Sequence, residues 1–384
     1  MFETKSDGMF RPAIQKTRTL VLMAVICLIS YSVAVLSKVV IISDTYEIKL
    51  NAARQMQAAM DYLKTIRMEE SVIMDPENDP NETGIVGSQF SLITTDEGDL
   101  DAKLTTLDPN FAAAMIELLH QAQVSQGDTV AVLLTGSMPG ANIACLVACD
   151  VLGIEPVVIT SVGASQWGAN LIDFTWLDME QLLFDSGYIS AKSLAASIGG
   201  RNDMGRLLSP RGRQIIIENI DIHGLEFIRE KSLAASVERR MQIFGAVSDL
   251  NKYAVFINVG GGVASLGTSF NHKLLQPGLV YRRDVESISR TGGIEGALTY
   301  FAKSNVPIIH ILNIQSLTKK LGMPYAPIPL PGIGSGKLYS EARYNLFVTA
   351  ICLIIVIGTV VFIGYRSHQQ IKARMEQHEP DSVL

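Results

Sequence analysis

Ser137 stands in the run Thr135-Gly136-Ser137-Met138-Pro139-Gly140, followed by Asn142, where an apolar strand pattern gives way to a helical one. A hydroxyl on a strand-to-helix turn has the position of a nucleophile elbow, although G-x-S-x-G is absent here. The same hydroxyl also suits a second task, donating a hydrogen bond to an oxyanion or a bound ligand. A serine nucleophile needs a base. Between the two apolar ends of the chain the histidines are His120, His223, His272 and His310. His120 ends an expected helix and His310 lies inside an expected strand, which reads as structural; His223 and His272 fall in loops.

Three further loops share the character of the first. They are Ser161-Val162-Gly163-Ala164-Ser165-Gln166-Trp167-Gly168-Ala169-Asn170, then Gly260-Gly261-Gly262, then Thr291-Gly292-Gly293. Small residues let backbone N–H groups approach a ligand, and a helix N-terminus favours an anion. The candidate ligand contacts are therefore Gly136, Ser137, Asn142, Ser161, Ser165, Asn170, Gly260, Gly261, Gly262, Gly292 and Gly293. None of these loops is G-x-G-x-x-G or a P-loop, and no acidic residue is placed to hold a ribose, so no cofactor is expected. Tight α/β turns also need glycine, and the triple glycine keeps both readings, turn or cradle.

The segment Asp173-Phe174-Thr175-Trp176-Leu177-Asp178-Met179-Glu180 carries three carboxylates. Asp173 or Thr175 suits the cap of a helix beginning near Trp176, with Asp178 and Glu180 in its first turn. Acid/base work by Asp178 is the alternative. Arg201, Arg206, Arg211 and Arg213 form the one basic cluster, either a solvated face or, through Arg206 and Arg211, a clamp for a carboxylate-bearing polymer. Cys145 and Cys149 lie four apart in an apolar helical run, the spacing of buried core thiols, and no metal site is expected.

The elements that must position these loops follow from periodicity. Residues 46–69 form an amphipathic helix, with Ile48, Ala52, Met56, Ala59, Leu63 and Ile66 at helical spacing. Pro, Asn, Asp, Gly and Thr dominate from Asp75 to Asp108, an extended connection with one short strand near Phe90–Thr94. Then come a helix over 110–124, a buried strand over 129–135, a helix over 141–152 and a strand over 156–161. A helix-rich section spans 176–250, a strand covers 253–259, a helix ends at 300–304, and a last strand covers 306–312. Apolar strands alternating with helices specify an α/β fold, a parallel helix-covered sheet with a helical insertion. In such sheets ligands bind beyond the carboxyl ends of the strands, the address all four loops share.

The chain has 384 residues, 48% hydrophobic and 18% charged, which excludes an intrinsically disordered protein. The apolar excess sits at the two ends. Residues 20–37 carry no charge, with apolar character resuming after Lys38 to residue 42, and residues 346–365 are also uncharged. Each suits one crossing of a bilayer. A cleaved signal peptide ending near Ser32-Val33-Ala34 is the competing reading of the first; a retained anchor is preferred because the apolar run continues. Lys5, Arg11, Lys16 and Arg18 on one flank, and Arg366, Lys372 and Arg374 on the other, place both tails in the cytoplasm. The expected division is a tail (1–19), a span (20–42), a helix with its extended connection (44–108), an extracytoplasmic α/β domain (109–335), a span (346–365) and a tail (366–384). The outer region holds 24 basic and 33 acidic residues, net −9, which argues against nucleic acid as a partner.

The stretch GSMPGANIACLVACDVLGIEPVVITSVGASQWGANLIDFTWLDME, preceded by SLITTDEGDLDAKLTTLDPNFAA and followed by SLAASIGGRNDMG, resembles the poly-γ-glutamate system protein family. These are bacterial membrane-anchored proteins associated with the machinery that makes and exports poly-γ-glutamate. The resemblance covers about residues 85–320, with SVGAS-x-W-GAN and FTWLDME its most specific parts. It implies an accessory component of polymer synthesis or export. Its partners would be the lipid bilayer, the synthase and export subunits, and the anionic polymer. It implies no catalytic residues. The alternative is an extracytoplasmic enzyme of amide or γ-glutamyl chemistry using Ser137 or Asp178. A sensor is the third reading, weakened by tails too short to carry an output domain.

Overall fold

The structure, a computed structural model, describes residues 11–70, 75–268, 274–289 and 294–376. It divides into two compact units, residues 1–42 with 341–384, and residues 43–340.

The first unit is built on two helices. Helix α1 (Thr17–Leu36) contains neither proline nor glycine, and the C-terminal helix runs from Leu346 to Glu376. Both are long and apolar enough to cross a bilayer. Leu28, Ile29, Ile354 and Phe362 are exposed along them, the arrangement expected of side chains facing lipid. The Ala13 amide donates to Gln370 Oε1 (2.9 Å) and the Ile14 amide to Ser367 Oγ (2.8 Å). The start of α1 therefore lies beside the late turns of the C-terminal helix, and the two helices form a hairpin. The apolar run after Lys38 does not prolong the span: β1 (Lys38–Ile42) is a strand paired with residues 340–344. Its Val-Val-Ile-Ile sequence explains the change, since β-branched side chains favour extended backbone.

The second unit is a three-layer α/β domain. Helix α2 (Tyr46–Glu69) buries Ala52, Met56, Ala59 and Leu63 and packs on the domain, with Ile48 left exposed. Its buried Lys49 is held by Glu117 at 2.6 Å. The segment 75–99 is irregular and is tied to the loop after β3 by an isolated β-bridge at Thr94 and by backbone bonds such as Thr95 N–H to the Ala164 carbonyl and Trp167 N–H to the Ser88 carbonyl; no strand forms at Phe90–Thr94. The connection does, however, contain a helix, α3 (Leu100–Thr106), capped by the Asp99 carboxylate accepting from the Ala102 amide.

Then α4 (Asn110–Gln121), β2 (Thr129–Thr135), α5 (Pro139–Leu152) and β3 (Glu155–Ser161) follow within a few residues of the expected bounds. A small hairpin of β4 (Asn170–Leu171) and β5 (Phe174–Thr175) leads into α6 (Trp176–Asp185). The helix-rich section contains α6, α7 (Pro210–Ile222) and α8 (Leu233–Val247). It also contributes two strands, β6 (Ser193–Ser197) and β7 (Glu226–Phe227), to the main sheet. The domain closes with β8 (Phe256–Val259), α9 (Val263–Leu266), β9 (Gly278–Val280), α10 (Arg282–Ser289), α11 (Ala297–Lys303), β10 (Ile308–Ile311) and α12 (Ile314–Leu321).

The seven-stranded sheet has the order β7-β6-β3-β2-β8-β10-β9, parallel except for β9. Both faces are covered, and strand alternation shows it. Val130, Val132 and Leu134 of β2 enter one core with α4, α5 and α6, whereas Ala131 and Leu133 enter the other with α8 and α11. The chain moves outward from β2 to β7, then returns to β8 on the other side of β2. Right-handed crossovers in opposite directions put helices on opposite faces. The reversal lies between β2 and β8, where a doubly wound sheet opens a crevice at its carboxyl edge.

Candidate functional site

At this reversal point Thr135 ends β2, and its Oγ1 donates to the Val259 carbonyl at 3.2 Å, linking β2 to β8. Gly260 has φ 90°, and a Cβ on it would stand 2.2 Å from Thr135 Oγ1, so the turn after β8 requires glycine. A Cβ on Gly261, by contrast, would meet nothing within 4 Å. Asn142 is buried in the first turn of α5 and donates through Nδ2 to the Thr135 carbonyl at 2.9 Å; among the described residues its Oδ1 has no partner. Asn258 is buried below the glycine turn, with Nδ2 on the Gly260 carbonyl and 2.9 Å from His310 Nδ1. His310 is thus a core strand histidine, as its position implied.

On the other side of β2 the loops after β2 and β3 are stitched together. The Gly136 amide donates to the Ser161 carbonyl (2.9 Å) and the Ala169 amide to the Gly136 carbonyl (2.8 Å). A Cβ on Gly136 would lie 2.2 Å from the Val162 carbonyl oxygen, so the two loops meet only because residue 136 is glycine. Ser137 Oγ accepts from the Ser165 amide at 2.9 Å. Asn170 clamps the long connection from behind, accepting from the Ser88 amide and donating to the Ser88 carbonyl and Thr94 Oγ1.

Into this junction α3 delivers Lys103. Only 3% of Lys103 is exposed, and its Nζ lies 3.0 Å from Ser165 Oγ and 3.7 Å from Met138 Sδ. Among the described residues no carboxylate comes within ion-pair distance of it. Burial lowers its amine to about 8, against the opposing pull of Asp99. Ser137 and Ser165 were both expected at a site; Lys103 was not. The signal available was Asp99 ahead of Leu-Asp-Ala-Lys-Leu, a capped helix start inside a stretch read as extended.

Ser161 belongs to a separate, fully buried cluster. Asp203 and Arg240 pair at 2.8 Å with side chains 2% and 1% exposed, and Ser161, Ser197 and Ser236 all hydrogen-bond the pair. Asn202 and Asp203 both hold positive φ, as do Gly199, Gly200 and Gly205 around them, so the pair fastens a strained loop after β6.

Asp178 also serves structure. It forms a capping box with Thr175 and takes hydrogen bonds from Asn219 Nδ2 (3.0 Å) and His223 Nε2 (2.8 Å). Burial raises its pKa, but the bonds from His223 and Thr175 outweigh this and leave it lower than an ordinary aspartate. It shares no hydrogen bond with Ser137 or Ser165. Of the basic cluster, Arg206 is exposed, Arg211 faces Glu218 at 3.5 Å, and Arg213 holds the Leu208 carbonyl. Gly292, Gly293 and His272 lie outside the described residues. Cys145 and Cys149 are buried free thiols. Among the described residues no group of three or more His, Cys, Asp or Glu is placed to hold a metal ion.

The fold and site together define a doubly wound α/β domain in a chain with an apolar, membrane-length helix toward each end. Compared with protein-family models, curated proteins and solved structures, the chain matches none.

Proposed function

We propose that this chain is a membrane-anchored accessory component of poly-γ-glutamate biosynthesis or export. In this reading both termini are cytoplasmic and the α/β domain is extracytoplasmic, binding polymer, precursor or the membrane subunits of the synthase and export complex. One observation carries the reading. The segments on which the resemblance rests are distant in sequence yet bonded to one another at the carboxyl edge of the sheet. Lys103 meets Ser165, Ser137 meets Ser165, Thr95 meets Ala164, and Asn170 meets Ser88. The convergence of the resembling segments on one edge supports a common site there. The hairpin of α1 and the C-terminal helix supports termini on one side, and the basic flanks support the cytoplasmic side.

Deleting the gene and measuring secreted poly-γ-glutamate and its chain length tests the pathway. Unchanged polymer in both amount and length refutes it. With the outer region at net −9, polymer contact must be local. Arg206→Glu combined with Arg211→Glu is expected to weaken polymer binding, and unchanged binding and export would remove that surface from consideration.

A second reading, an extracytoplasmic enzyme of amide or γ-glutamyl chemistry, is favoured by Lys103 on Ser165, a buried amine against a hydroxyl. Asp178→Asn is expected to leave such activity in place, because the carboxylate is committed to its cap and to Asn219 and His223.

A further inference from the structure

A buried lysine without a carboxylate is a costly choice for a fold. Transfer from water penalises the ammonium, and a methionine or leucine of similar reach would fill the same volume without that penalty. Lys103 offers three donors, and its neighbours are one hydroxyl and one thioether. What the position does supply is an amine held against a serine. The 3.0 Å separation from Ser165 Oγ is hydrogen-bond reach for a base and its nucleophile.

The surroundings suit acyl chemistry. Ser165 lies just beyond β3 and is 8% exposed, and the adjoining Ser137 and Gln166 are partly exposed. The Ser165 amide donates to Ser137 Oγ, which fixes the backbone that carries the nucleophile. Among the described residues Ser137 hydrogen-bonds no base, whereas Ser165 Oγ has the Lys103 amine against it. Met138, whose sulfur touches the lysine amine, is the N-cap residue of the 14-residue helix α5. The positive end of that helix lies beside the same junction, where it favours a developing oxyanion.

We propose that Ser165 is a nucleophile activated by Lys103, together forming a Ser–Lys centre that acts on carboxylic amides or esters. This rests on the enzymatic reading of the domain, and a γ-glutamyl amide is the member of that substrate class the polymer reading supplies. The neutral Lys103 amine takes the proton from Ser165 Oγ as the oxygen bonds to the substrate carbonyl carbon. The carbon–nitrogen or carbon–oxygen bond to the leaving group then breaks, and the Lys103 ammonium returns its proton to the departing amine or alkoxide. Water attacks the resulting acyl ester with Lys103 again as base, the Ser165 oxygen leaves with the proton, and a carboxylic acid is released. An amine in place of water yields a new amide by the same steps.

The test uses the full chain in detergent micelles and an alkyl fluorophosphonate, which a nucleophilic serine attacks at phosphorus with loss of fluoride. A single adduct mapped by mass spectrometry to Ser165 is expected. Ser165→Ala should abolish it, and Lys103→Met should slow it by about 100-fold or more. Lys103→Arg serves as the second variant: it retains a donor to Ser165 but cannot act as a base, and it should be as slow as Lys103→Met. Cooperative thermal unfolding confirms that each protein is folded. Absence of any adduct on the folded wild type overturns the proposal. So does an adduct on Ser137 or Ser161 instead, or labelling of Lys103→Arg at the wild-type rate. Polymer yield is a separate readout: normal poly-γ-glutamate in the deletion strain removes the pathway and leaves the Ser165 result standing.

Discussion

Replacing Lys103 by methionine should make the protein more stable, against the usual effect of changing a buried side chain. Burial shifts the amine from 10.5 to about 8, so at pH 7 the folded state carries an ammonium in surroundings that penalise it. At about 1.4 kcal/mol for each tenfold change in proton affinity, the penalty is about 3 kcal/mol. Methionine has a similar reach and no charge. What is lost is the hydrogen bond to Ser165 Oγ, about 1–2 kcal/mol. The net is a gain of about 1–2 kcal/mol, or about 2–6 °C in midpoint for a domain of this size. The pH dependence has a definite sign. Between pH 8 and 10.5 the unfolded chain binds this proton and the folded chain does not, so wild-type stability rises with pH across that window. The Lys103→Met protein lacks that contribution, and its advantage should shrink from pH 7 to pH 10. Paired thermal or urea unfolding of both proteins in the same micelles measures this directly. A lower midpoint for Lys103→Met at pH 7, or a difference that stays constant with pH, refutes the reasoning.

Three other perturbations follow from buried or crowded groups. Glu180 is buried against Ser193 and pushed up to about 7, so the folded state keeps its proton between pH 4.5 and 7 while the unfolded state releases it. Stability should therefore fall by about 3 kcal/mol as pH rises through that window, and Glu180→Gln should flatten that part of the profile in unfolding scans at pH 5, 6, 7 and 8. Arg240→Met leaves the Asp203 carboxylate buried without its cation and should cost about 3–5 kcal/mol in urea unfolding, whereas Arg239→Met, at an exposed pair with Glu226, should cost under about 1 kcal/mol. Gly136→Ala forces a Cβ to 2.2 Å from the Val162 carbonyl oxygen and should cost about 2 kcal/mol or more, while Gly261→Ala meets nothing within 4 Å and should fall within about 0.5 kcal/mol of wild type.

The legible parts of this fold are those whose pattern is apolar and local. Helix α2, strand β2 and the apolar body of α1 are set by periodicity or by uninterrupted apolar runs, and they stand where the sequence places them. The elements that escaped lack such a pattern. Strand β6 reads Ser-Leu-Ala-Ala-Ser, with no β-branched residue, and becomes a strand because β3 offers it a parallel edge. Strands β7 and β9 have two and three residues, too few to show a period at all. The strand order is less legible still, since nothing local shows that the chain turns back between β2 and β8.

The site divides along the same line. Ser137 and Ser165 could be singled out because small polar residues after apolar strands mark the carboxyl edge. Lys103 could not: it lies 62 residues before Ser165 in a seven-residue helix whose sequence is half polar. Its chemistry comes wholly from burial, which is a property of the packed domain. The Gly-rich loops read as tight turns or ligand cradles, and among the described residues Gly136, Gly163 and Gly168 prove to be places where two loops touch. A site whose reactive character depends on desolvation is invisible to motif reading by construction, because the same lysine on an exposed helix face would be an ordinary surface cation. The distinction can be measured: an exposed lysine leaves unfolding free energy flat between pH 8 and 10, and this one should not.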